Sequence, residues 1–250
     1  MISKNQIKFV HQLELKKFRK QEGLFIAEGH KVVGDLLKAG YTPKQLFATA
    51  EWIAANPVAG AIEVTNNELT KLSLQQHPQQ VLALFPIPTH QHQAPNTPHL
   101  SILLDNVQDP GNLGTIIRIA DWFGIDTIFC SPDTADAYNP KVVQATMGSI
   151  ARVQILYINL AELIDSLPAG TPVYGTLLNG ENIYRQPLQP RGLIVMGNEG
   201  KGISPDIARR VSHRLLIPNY PEGRATADSL NVAIATAITC AEFRRQQLSL

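Results

Sequence analysis

The sequence predicts an α/β protein built around a mostly parallel sheet and divided into two domains. Continuous apolar runs of strand length alternate with segments of helical periodicity, a pattern typical of parallel sheets covered by helices on both faces. A proline-rich stretch at residues 86–99 interrupts all periodicity. At 250 residues the chain is long enough for the part on either side of that stretch to bury its own core.

Residues 86–99 are expected to form an extended linker, because they contain four prolines and no large apolar residue beyond Ile87. The predicted domains are therefore a small α/β module at 1–85 and a larger domain at 100–250. His90 and His92 could bind a metal ion, but nothing nearby supplies further ligands. A solvated linker is the favoured interpretation.

The N-terminal module begins with a predicted helix over 5–20, whose apolar residues recur at roughly helical spacing. The apolar run before Glu28 predicts a strand that ends at a turn. Residues 30–39 predict a helix that Gly40 terminates. Two further apolar runs, at 45–49 and 80–85, predict strands.

The C-terminal domain alternates in the same way. Apolar runs predict strands at 101–105, 127–130, 172–178, 192–196 and 213–217, and helical periodicity predicts helices at 113–123, 142–147 and 229–247. The final helix is apolar on too many sides for a surface helix, which favours a buried interface.

Composition excludes several classes of protein. The net charge of +1 excludes a uniformly basic protein, so contacts with nucleic acid must come from local patches. Cys130 and Cys240 lie far apart with no partner at metal-ligand spacing, and we expect inert buried thiols. There is no signal-peptide pattern and no apolar run of membrane-spanning length, so we expect a cytoplasmic protein without disulfides.

Two predicted strands end in loops whose residues could bind a ligand. Residues 197–202 follow one strand and Pro218 follows another, and ligands of parallel sheets bind at such carboxyl ends. Glycines at 197, 200 and 202 allow close backbone approach to a ligand. The spacing matches neither a phosphate-binding Walker loop nor the dinucleotide fingerprint. These residues alone are compatible with a ligand loop or with tight structural turns.

Three short sequence blocks, in a fixed order along the chain, allow a more specific prediction of function. Residues 106–118 read NVQDPGNLGTIIR, residues 195–202 read VMGNEGKG, and Ile217-Pro218 precedes SLNV at 229–232. This ordered set resembles the SpoU (TrmH-like) branch of the SPOUT RNA methyltransferases. In addition, FIAEGHKVV at 25–33 resembles the substrate-binding domain that precedes many SpoU catalytic domains.

The resemblance implies a C-terminal trefoil knot, S-adenosylmethionine as cofactor, no metal, and a homodimer. It implies methyl transfer to a ribose 2′-hydroxyl of structured RNA, with rRNA favoured over tRNA. Gly197, Ile217 and Leu230 would hold the cofactor through their backbone, and Thr176 and Leu177 would form the first wall of its pocket. The same blocks add Asn198, Gly200, Pro218 and Ser229 to the expected cofactor-binding residues.

The resemblance also implies the catalytic set Arg118, Asn112, Glu199, Ser229 and Asn231. We expect Arg118 to orient the hydroxyl and to stabilise charge, because a guanidinium is a poor base; the alternative is a surface arginine. Asn112 would position the ribose or cap its helix, and Glu199 would bond Arg118 or hold its loop. Ser229 and Asn231 would open the final helix and cap its free N–H groups while facing the cofactor, and for Ser229 capping alone is an equal alternative.

RNA binding is expected at the basic N-terminal segment, where residues 1–22 hold six Lys or Arg and two Glu. The predicted RNA-binding residues are Lys4, Lys8, Lys16, Lys17, Arg19 and Lys20, with Arg224 added from the loop at 219–228. An ordinary charged helix face is the alternative. That loop is longer than is usual in the family, and Asp228 stands where a glutamate is common. Rival functions are a catalytically silent RNA-binding or ribosome-assembly factor and a SPOUT enzyme that methylates a base.

Overall fold

The computed structural model describes residues 2–89, 99–221 and 224–248. Its contacts divide the chain into two compact units. Unit 1 comprises Met1–Thr89 and Asp136–Arg152, and unit 2 comprises His90–Ala135 and Val153–Leu250. The sequence placed all of 100–250 in one domain, whereas the contacts group 136–152 with the N-terminal residues. Most of the predicted linker, including His90 and His92, lies outside the described residues.

Unit 1 is built on a four-stranded sheet in the order β1-β4-β2-β3. β4 pairs antiparallel with both β1 and β2, whereas β3 pairs parallel with β2. The elements are α1 (Lys4–Gln12), α2 (Lys16–Glu22), β1 (Leu24–Glu28), α3 (His30–Lys38), β2 (Gln45–Ala48), α4 (Ala50–Ala55), β3 (Ile62–Glu63), α5 (Asn66–Leu72) and β4 (Val81–Pro86).

The helix predicted over 5–20 is divided into α1 and α2, and hydrogen bonds from Arg19 stabilise the turn between them. Its Nη1 donates to the carbonyl oxygens of Leu13 at 2.8 Å and Glu14 at 2.6 Å, and its Nη2 donates to Asp136 at 2.5 Å. Carbonyls bound by a side chain no longer need a helical amide. With only 2% of its surface exposed, Arg19 cannot contact RNA, which corrects its place in the predicted RNA-binding set.

Unit 2 contains a six-stranded sheet in the order β10-β8-β9-β5-β6-β7, in which every pair of neighbours is parallel. Its elements are β5 (Leu100–Leu104), α6 (Pro110–Trp122), β6 (Thr127–Cys130), β7 (Gln154–Tyr157), α8 (Leu160–Asp165), β8 (Val173–Asn182), β9 (Gly192–Met196), α9 (Pro205–Ala208), β10 (His213–Leu216) and α10 (Val232–Leu248). The predicted parallel α/β sheet is confirmed.

Helices cover both faces of this sheet. One face packs against α8 and α9 in a cluster that includes Val173 of β8. The neighbouring residue Tyr174 points to the other face, as alternate residues of a strand do. Its ring centroid lies 4.8 Å from that of Phe243 in α10. Cys130 and Cys240 are free and buried in this core, as expected.

Residues 136–152 leave the sheet between β6 and β7 and belong to unit 1. They form α7 (Pro140–Ala145) and a 3₁₀ turn at Ser149–Ala151. The Tyr138 ring lies 5.0 Å from that of Phe25 in β1, and Arg152 pairs with Asp35 of α3 at 3.2 Å. Together with the Arg19 contact, these interactions make the segment part of the N-terminal core.

The strand β8 is longer than predicted and is irregular. It pairs with β10 at Tyr174 and Gly175, and again at Glu181 and Asn182, so that residues 176–180 leave the regular pairing. A Cβ at Gly180 would lie 2.6 Å from the backbone carbon of Leu215. Only glycine allows the two chain segments to approach this closely.

Candidate functional site

A cavity of about 490 Å³ opens at the carboxyl edge of the sheet in unit 2. Parallel strands bring the irregular part of β8 and the loops after β9 and β10 together at this edge. The cavity is lined by Thr176, Leu177, Leu178, Asn179, Met196, Gly197, Asn198, Glu199, Gly200, Lys201, Gly202, Ile203, Leu215, Leu216, Ile217, Asp228, Ser229, Leu230, Val232 and Ala235. Of the predicted cofactor-binding residues, all line it except Pro218.

The loop after β9 is a tight hairpin. Backbone hydrogen bonds of 2.9 Å run in both directions between Asn198 and Gly202, and Asn198 Oδ1 accepts from the N–H groups of Gly200 and Lys201 at 3.0 Å. A Cβ at Gly197 would lie 2.2 Å from the backbone of Gly202. This segment is therefore both a tight structural turn and a wall of the cavity.

The hairpin is also fastened to the loop after β5. Asn198 Nδ2 donates to the carbonyl oxygen of Asn106 at 2.7 Å, and Asp105 accepts from the backbone N–H of Ser204 at 2.7 Å. Asn106 adopts a left-handed conformation with φ 62°. The first bond joins the first two sequence blocks directly, and the second joins the residues that flank them.

Three of the predicted catalytic residues form a hydrogen-bonded chain. Asn112 Nδ2 donates to Glu199 at 3.0 Å, and Asn231 Nδ2 donates to Asn112 Oδ1 at 2.9 Å. Asn231 Oδ1 accepts from the N–H groups of Ala233 and Ile234, and so caps α10. All three blocks therefore meet at this chain of side chains.

Glu199 holds its loop and is ionised in this position. Burial alone would raise the pKa of its carboxyl, but hydrogen bonds from Asn112 and from neighbouring backbone N–H groups outweigh burial and lower it. The oxygens also accept from the backbone of Asp109 at 3.3 Å and of Gln108 at 3.4 Å. Among the described residues, no bond joins Glu199 to Arg118.

The cap of α6 differs from the sequence expectation, whereas the cap of α10 agrees with it. Asp109, not Asn112, caps α6, because its side chain accepts from the Asn112 N–H at 2.7 Å. Pro110 at the first helical position is the signal that could have identified this cap. At α10, which begins at Val232, the expected cap by the Asn231 amide is found, and no hydrogen bond of Ser229 caps the helix among the described residues.

Arg118 lies on the exposed side of α6 and does not line the cavity. Nor does it form a hydrogen bond or ion pair with any other residue that the structure describes. Within one chain, its exposure matches the alternative of a surface arginine. Its guanidinium is accordingly available to a partner from outside the chain.

The predicted RNA-binding lysines are all exposed. Lys4 and Lys8 lie on α1, whereas Lys16, Lys17 and Lys20 lie on α2. Arg224 is also exposed, and its backbone carbonyl accepts from Asn219 Nδ2 at 2.7 Å.

Within the described ranges, every helix is too short or too polar to cross a lipid bilayer. The same ranges hold no cluster of three or more His, Cys, Asp or Glu side chains of the kind that binds a metal ion.

Comparison with known proteins gives matches over nearly the whole chain. The model of the SpoU rRNA Methylase family matches residues 99–241, and that of the MRM3-like substrate binding domain matches residues 4–83. A curated relative is the 23S rRNA (guanosine(2553)-2′-O)-methyltransferase RlmP of Bacillus subtilis, which is 32% identical over 97% of both chains.

Solved structures agree with these matches. A putative RNA methyltransferase of the TrmH family from Porphyromonas gingivalis superimposes with a TM-score of 0.89 at 41% identity, over 98% of this chain and 99% of the other. An AdoMet-bound rRNA methyltransferase from Sinorhizobium meliloti gives a TM-score of 0.86 at 33% identity, over 98% and 96% of the two chains.

Proposed function

Because this chain belongs to the SpoU rRNA methylase family and is a methyltransferase, we propose that it methylates a ribose 2′-hydroxyl of rRNA with S-adenosylmethionine as donor. The observation that carries the proposal is the hydrogen-bonded chain Glu199–Asn112–Asn231 beside the glycine-lined cavity. It unites the three blocks on which the family likeness depends.

The cavity fits the cofactor in size and in chemistry. Its volume of about 490 Å³ lies within the range of sites for small ligands. Gly197, Gly200 and Gly202, which present only backbone groups, line it beside the apolar residues Leu177, Ile217 and Leu230. Such a lining offers hydrogen bonds to an adenine edge and apolar surface to its ring. When bound, S-adenosylmethionine supplies an electrophilic methyl group, so no metal is needed.

The catalytic roles follow from the hydrogen bonds that each side chain already makes. Glu199 accepts hydrogen bonds at both carboxylate oxygens, so we assign it to holding Asn112 and not to proton removal. The exposed hydroxyl of Ser229 at the cavity wall would bond the substrate ribose. The guanidinium of Arg118 would orient the 2′-hydroxyl and stabilise its developing negative charge. An RNA phosphate or water would take the proton.

Two surfaces are assigned to partners. The five exposed lysines of α1 and α2 would contact RNA phosphates, and the match of unit 1 to the MRM3-like domain favours rRNA over tRNA. A homodimer would cover Ile234 on α10, which is 52% exposed, and Trp122 on α6, which is 83% exposed. A second copy could then also bring its Arg118 to the cavity.

The proposal includes the trefoil knot and a cytoplasmic location. The close approach of Gly180 to the backbone of Leu215, where the pairing of β8 with β10 is irregular, supports the knot. The two free buried cysteines suit a reducing compartment.

The test is incubation of the purified protein with radiolabelled S-adenosylmethionine and total RNA from a strain lacking it. We expect label in a 2′-O-methylnucleoside from the rRNA fraction. Mass analysis separates this from base methylation, because a ribose methyl is lost with the sugar when the glycosidic bond breaks. Absence of both label and cofactor binding by calorimetry would instead identify a catalytically silent RNA-binding factor.

A further inference from the structure

A second cavity, of about 360 Å³, lies within unit 1. Its lining includes Glu28, Gly29, Lys31, Gln79, Gln144 and Met147. The end of β1 and the start of α3 form one wall, and Gln144 and Met147, from the segment 136–152, form another. Its volume lies within the range of sites that hold small ligands.

Polar groups without a protein partner converge on this cavity. The side-chain amide of Gln79 has no hydrogen-bond partner in the described parts of the chain. Gln144 Oε1 accepts from Gln75 at 2.8 Å, which leaves the Gln144 NH₂ group uncommitted within those same parts. A Cβ at Gly29 would lie 3.2 Å from Gln79 Oε1, so the glycine gives the amide room to lie against the turn.

The charges around the cavity disfavour an anion. The buried Glu28 carboxylate forms part of the wall and is bound by the Ser73 hydroxyl and the Leu74 N–H. The ammonium group of Lys31 is paired with Asp35 at 2.6 Å. A neutral ligand that offers both donors and acceptors matches this lining better than a phosphate does.

The mouth of the cavity offers stacking surface. Met147 is 43% exposed and has a left-handed backbone, with φ 52°. Next to it, a Cβ at Gly148 would lie 2.5 Å from Asp35 Oδ2, so the turn packs tightly on α3 and presents the Met147 thioether outward. The exposed His30 ring lies at the same cavity.

We infer that this cavity binds one unstacked base of the RNA substrate, read by the amides of Gln79 and Gln144. The inference rests on the proposed function, because it assigns part of substrate selection to unit 1. Sequence-specific RNA recognition uses bases that are splayed out, stacked on side chains and hydrogen-bonded along their edges. A glutamine amide supplies a donor and an acceptor for such an edge. The base is bound separately from the phosphates, which the lysines of α1 and α2 contact.

The experiment measures binding of the full chain to short fluorescent oligoribonucleotides of A, C, G or U by anisotropy, at roughly physiological salt. One sequence should bind at least about tenfold more tightly than the weakest, as hydrogen bonding to a base edge provides. The double variant Gln79→Leu, Gln144→Leu should reduce that preference to about twofold or less. Gln76→Leu is the matched control, because this exposed glutamine of unit 1 lies outside the cavity.

Thermal unfolding of each variant, with Gln79→Ala, Gln144→Ala as a smaller replacement, checks that the fold is kept. Equal affinities for the four oligonucleotides, no binding to any of them, or a preference that survives in both double variants would each overturn the inference. The methyl-transfer assay separates this failure from failure of the proposed function. If rRNA is methylated but no base preference is found, only the assignment of the cavity fails. If a glutamine-dependent preference is found without methylation, only the proposed activity fails.

Discussion

At the scale of single residues, Gly197 carries a sharp steric constraint. We expect Gly197→Ala to weaken cofactor binding at least about tenfold and to lower thermal stability, because its Cβ would meet backbone at 2.2 Å. Calorimetric titration with S-adenosylmethionine measures the first effect. Gly34→Ala is the control, since its Cβ meets nothing within 4 Å and alanine favours a helix. Equal affinities of wild type and Gly197→Ala would contradict the proposed site.

Arg118 gives the clearest test of the assigned chemistry. Arg118→Ala should reduce methyl transfer by about a hundredfold or more, the usual cost of removing one group that stabilises transition-state charge. Cofactor affinity should stay within about threefold of wild type, because Arg118 does not line the cavity of its own chain. Arg191→Ala removes another exposed arginine of unit 2 and should keep activity. A large loss of cofactor affinity in Arg118→Ala would contradict the role proposed here.

The buried position of Glu28 makes the stability of the fold depend on pH. Burial raises its pKa above the ordinary 4.5, and the hydrogen bonds from Ser73 and Leu74 and the charge of His11 only partly offset this. The folded state therefore holds this proton more tightly than the unfolded state does. The stabilisation is full below about pH 4.5 and is lost as pH rises through the folded pKa.

We compare wild type with Glu28→Gln, a neutral side chain of the same shape. The free energy of unfolding of wild type relative to the variant should be greatest at acid pH and should fall towards pH 7, as measured by urea unfolding across that range. A difference that is constant with pH, or that grows as pH rises, would contradict the raised pKa.

Residue types in the three blocks were predictable, but their partners were not. The sequence identified Asn112, Glu199 and Asn231 as a set, and the structure links them by direct hydrogen bonds. The burial of Arg19 depends on Asp136, which lies 117 positions further along the chain. No local pattern distinguishes it from the exposed Lys16, Lys17 and Lys20 beside it.

At the scale of elements, apolar runs predicted five of the six strands in the parallel sheet of unit 2, because strands covered on both faces are apolar throughout. The edge strand β7 was missed. The short helices α4, α5, α8 and α9 were missed, since four to seven residues give too little periodicity. The irregular part of β8 was also missed. Its departure from the pairing depends on the distant strand β10 and not on its own residues.

The helix α2 presents three exposed lysines, and their contribution to RNA binding can be measured. Lys16→Gln, Lys17→Gln, Lys20→Gln should weaken binding and reduce the slope of log affinity against log salt by up to about 2 to 3, since each phosphate contact contributes about 0.7 to 0.9. The matched control replaces three exposed lysines elsewhere in unit 1: Lys38, Lys44 and Lys71. An equal change in both triple variants would argue against a specific surface on α2.

At the scale of the whole molecule, the proposed homodimer depends on the exposed face of α10. Ile234→Glu should convert the dimer to a monomer in sedimentation velocity and reduce methyl transfer, because a buried charge at an interface is unpaired. Leu15→Glu replaces a residue of nearly equal exposure in unit 1, 53% against 52%, and should leave the mass unchanged. A wild-type protein that sediments as a monomer would contradict the dimer directly.

The placement of residues 136–152 in unit 1 has a consequence for synthesis of the protein on the ribosome. The N-terminal unit cannot be completed when residue 89 emerges, because Asp136, Tyr138 and Arg152 are not yet made. At 5–20 residues per second, making residues 90–135 takes about 2 to 10 seconds. Throughout that interval Arg19 lacks its ion-pair partner Asp136, and the Phe25 ring lacks its neighbour Tyr138. We therefore expect the two units to mature together, and not one after the other, as translation proceeds.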